Sequence, residues 1–115
     1  MKLAFALVAV LLAASPALAE EKKSKGTRFW NLTGETIAKF ELAPAGTTAF
    51  GPDQCKNDKD GTVDNDERLK IVDVADGKYD ARITDVKGKV CMAAGLDVKK
   101  DGVFSVEKDQ LKDCK

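Results

Sequence analysis

The chain contains no histidine. That absence removes a common ligand of zinc, copper and nickel, and the side chain best suited to moving protons near neutral pH. There is also no G-x-S-x-G nucleophile elbow and no glycine-rich phosphate loop, so only carboxylate pairs such as Asp64 with Glu67 remain for acid-base work. A domain of this size seldom builds a cleft around such a pair, and the expectation is a protein that is not an enzyme. An excess of one charge is missing as well. The 19 acidic and 19 basic residues cancel, and without a basic surplus no nucleic-acid partner is expected. Long apolar runs are confined to Leu3–Ala14, which is too short for a permanent transmembrane helix, so no membrane span is expected.

What that run does fit is an export signal. Lys2, the apolar stretch, Ser15, Pro16 and the small-x-small triplet Ala17, Leu18, Ala19 describe a signal peptide over 1–19, cleaved before Glu20. The expected location is the periplasm. Residues 20–27, opening with the charged "EEKKSKG", read as a flexible leader, and 28–115 as a single domain with a modest core. Export bears on the cysteines, since disulfides persist in oxidising compartments. Three are present, Cys55, Cys91 and Cys114, so one thiol is left over, either free or open to another molecule. Three pairings are open. Cys91 with Cys114 is the expected one: it closes a loop of about 23 residues, contributes roughly 3 kcal/mol in the chain-entropy model and pins the tail to a core strand. Cys55, at the mouth of an acidic loop, is then the unpaired thiol.

Strand signals come in short pieces: "RFWNLT", "TIAKFEL", "LKIVDV", "KYDARITD", "KVCMAA" and "GVFSV". In "KYDARITD", Tyr79, Ala81 and Ile83 alternate with Lys78, Asp80, Arg82 and Thr84, the pattern of a half-buried strand. Asp76-Gly77, Lys87-Gly88 and Asp101-Gly102 each offer a glycine for a positive φ at a hairpin turn. The expected fold is all-β, a small antiparallel β-sandwich or barrel with meander character and one long acidic loop. The only helical hint is "SVEKDQLKD", with Ser105 as a cap. Phe29 and Trp30 read as core.

The loop is "KNDKDGTVDNDE", residues 56–67, with two positive and five negative side chains. With Gly61 on the glycine position of a calcium-type loop, Asp58, Asp60, Asp64 and Glu67 fall on ligand positions and the Thr62 carbonyl on the main-chain position. Asn57 and Asp66 are further oxygen sources. Lys56 stands where the first carboxylate belongs, and the flanks lack helices, so the expectation is a calcium-type loop on a β scaffold. An all-oxygen site suits calcium or a lanthanide ion of the lanthanum or neodymium class. Four side-chain ligands do not fill such a shell, which raises water ligands or a metal-bridged homodimer. The competing reading is a solvated turn. It is set against the premise that five clustered acids without a cation repel one another for no structural return.

"NLTGETI", "FGPDQ", "GKYDARITDVKGKVC" and "LKDC" together resemble a family of small exported bacterial β proteins, across nearly all of the chain beyond the leader. With the acidic loop added, the chain resembles the landiscernin-like periplasmic lanthanide-binding proteins. The resemblance implies lanthanide uptake or trafficking with periplasmic uptake partners, carried onto Asp58, Asp60, Asp64 and Glu67. The alternative is an exported protein-protein interaction module with no metal dependence, using a strand edge or the free thiol. Asn31-Leu32-Thr33 matches a glycosylation sequon by chance. Asp73, Asp76, Asp80 and Asp85 read as turn formers.

Overall fold

The computed structural model describes residues 26–115; the signal peptide expected over 1–19 and nearly all of the leader lie outside the described residues. The fold is all-β. Its strands are β1 (Thr27–Leu32), β2 (Ile37–Pro44), β3 (Arg68–Ile71), β4 (Gly77–Asp85), β5 (Val90–Val98) and β6 (Val103–Glu107). They form two three-stranded sheets, a first sheet in the order β3-β1-β6 and a second in the order β2-β4-β5. Among the described residues no helix is long and apolar enough to cross a membrane.

Side-chain alternation decides which face of each strand turns inward. In β4, Ala81 and Ile83 are buried and Tyr79 packs against the same core. In β1, Phe29 is fully buried and stacks on Phe40 of β2 with ring centroids 4.0 Å apart, while Phe104 of β6 tilts against Phe29 at 5.6 Å. These three rings join the sheets, and burying each is worth about 1.5–3 kcal/mol. Trp30 departs from its expected core position. It sits half-buried on the outer face because it follows Phe29 in a period-2 strand.

The pairing is not antiparallel throughout. β1 pairs in parallel with β6, Phe29 lying opposite Phe104, and a parallel pair needs a long crossover, here one that takes in β3 and the whole second sheet. The meander reading holds for the β4–β5 hairpin, whose turn carries Gly88 at φ 91°. The other two glycine turns carry the chain between sheets instead. At 101–102 the positive φ of 62° falls on Asp101 rather than on Gly102. Gly102 is there for space, since a Cβ would meet the Lys99 carbonyl at 3.1 Å.

Two further expectations change. β3 stops at Ile71 because Asp73 turns into the left-handed region at φ 58°. The helical hint shrinks to one 3-10 turn, Lys108–Gln110, capped by Glu107; Ser105 is inside β6, opposite Trp30. Beyond that turn Leu111 packs on the core, and the tail lies along β5 through Met92–Lys112 and Val90–Lys115 main-chain bonds. The Cys91–Cys114 disulfide fastens it there, as expected. Cys55 is the free cysteine, yet it is not open to other molecules. Its side chain is fully buried, and burial, reinforced by the charge of Asp53, pushes the thiol up to about 12. A thiol so placed forms almost no thiolate and is inert.

Candidate functional site

The acidic loop grows out of a short 3-10 helix, Gln54–Asn57. Asp53 starts it by accepting the N–H groups of Phe40 and Cys55 on one oxygen, at 3.0 and 2.9 Å. Gln54 then copies a strand partner: its amide donates to the Val72 carbonyl at 3.1 Å and accepts from the Val72 N–H at 3.0 Å. Asn57, one of the candidate oxygen sources, donates to Gln54 at 2.7 Å and to the Lys70 carbonyl at 2.8 Å. Its amide group is thus tied to the edge of β3.

The loop proper is two turns divided by one core residue. In the first turn the Asp60 N–H donates to Asp58 Oδ2 at 3.0 Å, the Gly61 N–H to the Asp58 carbonyl at 3.1 Å, and Gly61 takes φ 76°. Every anchor of this turn is local. The Asp60 carboxylate and the Thr62 carbonyl have no partner among the described residues. Val63 follows, fully buried, exchanging both main-chain hydrogen bonds with Ile37 at 2.9 Å. It is drawn inward because it is the one apolar side chain of the stretch.

The second turn is tied to β1. Asn31 donates its backbone N–H to the Glu67 carbonyl at 3.0 Å and accepts from the Asp66 N–H at 2.6 Å. Its side chain donates to the carbonyls of Glu35 and Val63, at 2.8 and 3.0 Å, and accepts from the N–H and hydroxyl of Thr33, at 3.0 and 2.7 Å. All its capacity is used at full burial, which also leaves the sequon without a reachable acceptor. Around this hub Asn65 accepts from the Gly34 N–H at 2.8 Å, Asp64 from the Thr36 hydroxyl at 3.3 Å and Asp66 from Trp30 Nε1 at 3.0 Å. Glu67 Oε1 accepts from the Asp64 N–H at 2.8 Å.

These contacts correct the premise that clustered acids bring no structural return without a cation. Asp58, Asp64, Asp66 and Glu67 each use one oxygen to hold a turn, the role that makes aspartate common in loops. The structure brings Asp58 next to Asp60 and Asp64 next to Glu67, on either side of Val63. Among the described residues no three acidic or cysteine side chains gather as a metal-ligating group. The second acidic group behaves as turn formers: Asp85 accepts from Lys87 and Lys89, Asp76 from Lys100. Asp80 accepts from the N–H groups of Gly46 and Gly95, and these two bonds hold its carboxyl below the usual carboxylate range.

Sequence reasoning missed Asn31, Asp53 and Gln54, which place the loop. Only Asn31 carried a signal, the Asn-x-Thr spacing of an Asx turn. No family model, curated protein or solved structure matches the chain.

Proposed function

We propose that this is an exported, periplasmic domain that takes up a hard cation, a lanthanide in preference to calcium, at the 58–67 loop. The observation that carries the reading is the set of oxygens the turns leave over. Asp60 has its whole carboxylate free, Thr62 its carbonyl, and Asp58, Asp64 and Glu67 one oxygen each. No lysine or arginine pairs with these acids among the described residues, so the loop keeps its negative charge for an ion. On this reading uptake is coupled to a movement of the locally anchored 58–61 turn toward the fixed 64–67 turn. The resemblance to lanthanide-binding proteins supports the choice of ion and a role in uptake or trafficking.

The test is calorimetric titration with lanthanum and with calcium. The expected result is lanthanum binding at micromolar concentration or tighter, not displaced by millimolar calcium. Asp60→Asn is expected to weaken it at least tenfold without changing the melting temperature, because that carboxylate supports no contact. Absence of heat from both ions overturns the proposal. One observation favours the second reading, an interaction module: cations on the outer face of the first sheet that lack carboxylate partners.

A further inference from the structure

The outer face of the first sheet carries Arg28 and Trp30 from β1 and Arg68 and Lys70 from β3, all on the side away from the core. Arg28 stands directly opposite Lys70, and Trp30 opposite Arg68. Like charges paired across antiparallel strands destabilise a sheet, and among the described residues no ion pair offsets this one. No carboxylate forms an ion pair with any of the three cations among the described residues, and Arg28 Nε is buried without an acceptor. Arg68 instead lies over the Trp30 ring, 4.1 Å from its centroid. The acid on the sheet itself, Glu107, caps the 3-10 turn that follows it, and Asp66, beside the sheet, accepts from Trp30 Nε1 at 3.0 Å without pairing with a cation.

We infer that this face docks an extended acidic peptide segment of another protein. Charge complementarity selects an anion, and the layout selects its form. Arg68 and Lys70 are two residues apart on one face of β3, about 7 Å at the rise of a strand. Same-face side chains of an extended peptide repeat at that spacing, so glutamates or aspartates at alternate positions meet both cations at once. Arginine adds forked hydrogen bonds to carboxylates. Trp30, under the Arg68 guanidinium, and half-exposed Val103 of β6, beside Arg28, give the cations an apolar border, a composition found at the centre of recognition surfaces. Sulfated glycans and anionic lipid surfaces also carry anions but not the two-residue repeat of a strand.

Trp30 is the only tryptophan in the chain, so its fluorescence reports on this face and on the Asp66 contact beside it. The experiment titrates the purified protein, in chelator to exclude metal, with a synthetic peptide of alternating glutamate and serine. The expected result is a saturable change in fluorescence, confirmed by calorimetry and weakened at least tenfold by raising the salt well above the screening range. Lys70→Glu should weaken binding tenfold or more, while Lys89→Glu, on the hairpin of the other sheet, should leave it unchanged; both are exposed positions, and circular dichroism checks their folding. Binding equal in the two variants overturns the proposal. So does silence at millimolar peptide, or preferential binding of heparin or of phosphatidylglycerol vesicles. Because metal is excluded, failure here leaves the cation reading untouched, and failure of lanthanum to bind leaves this one untouched.

Discussion

The two outer faces of this sandwich are built from the same parts and finished differently. On the second sheet Glu41 stands opposite Arg82 and pairs with it, Nε to Oε1 at 2.9 Å, and the guanidinium lies 4.2 Å from the centroid of the Phe50 ring. On the first sheet Arg68 covers Trp30 in the same way, but Lys70 stands opposite Arg28 where a carboxylate is wanted. Both faces use a cation over an aromatic ring; only one supplies the counter-charge. The difference, a like-charge pair on one face beside a satisfied ion pair on the other, is what the proposed acidic peptide would relieve.

The largest expected effect removes the joint between the faces. Phe40→Ala should cost about 3–5 kcal/mol, enough to unfold much of a domain whose total is about 5–15 kcal/mol. Urea unfolding followed by Trp30 fluorescence and by far-ultraviolet dichroism should shift together, since the sheets share that ring. Next comes Asn31→Ala, at roughly 2–4 kcal/mol, because it strands buried carbonyls of Glu35 and Val63. Thermal melts measure the loss, and a change in native Trp30 emission would show that the second turn has loosened.

Asp80→Ala should cost about 1–2 kcal/mol at neutral pH through the two lost N–H acceptors. The folded carboxyl is held below its unfolded value, so its contribution is present above the unfolded range, near pH 4, and disappears as pH falls through the folded value. Wild type and variant should therefore converge in acid, a convergence that melts at stepped pH would reveal. The smallest effects separate the faces by sign. Arg82→Ala should destabilise by about 0.2–1 kcal/mol, the range for a part-exposed pair. Lys70→Ala should stabilise by a few tenths, about the size of a relieved cross-strand repulsion. Denaturant midpoints of equal sign would erase the contrast.

How much of this was legible depends on the reach of the signal involved. Alternation in residues 78–85 named the buried face of β4, because the period of a strand is local. The partner of β1 was not legible: Phe29 pairs with Phe104 through a parallel register that no turn residue announces. In the loop, the D-x-D-G spacing marked the turn at Gly61, which the φ of 76° bears out. It did not reveal that Val63 divides the acids, because what holds Val63 is Ile37, far away in the chain. Asn31 was read as an accidental sequon for the same reason. A buried amide with four partners looks, as letters, like any polar residue near a glycine.

The pairing of β1 with β6 also sets a timetable. The strand that emerges first from the ribosome has to wait for one of the last before its sheet can close, and contacts so distant in sequence make for slow folding. Were the chain exported as proposed above, that delay would keep the polypeptide threadable until it had passed through a translocation pore.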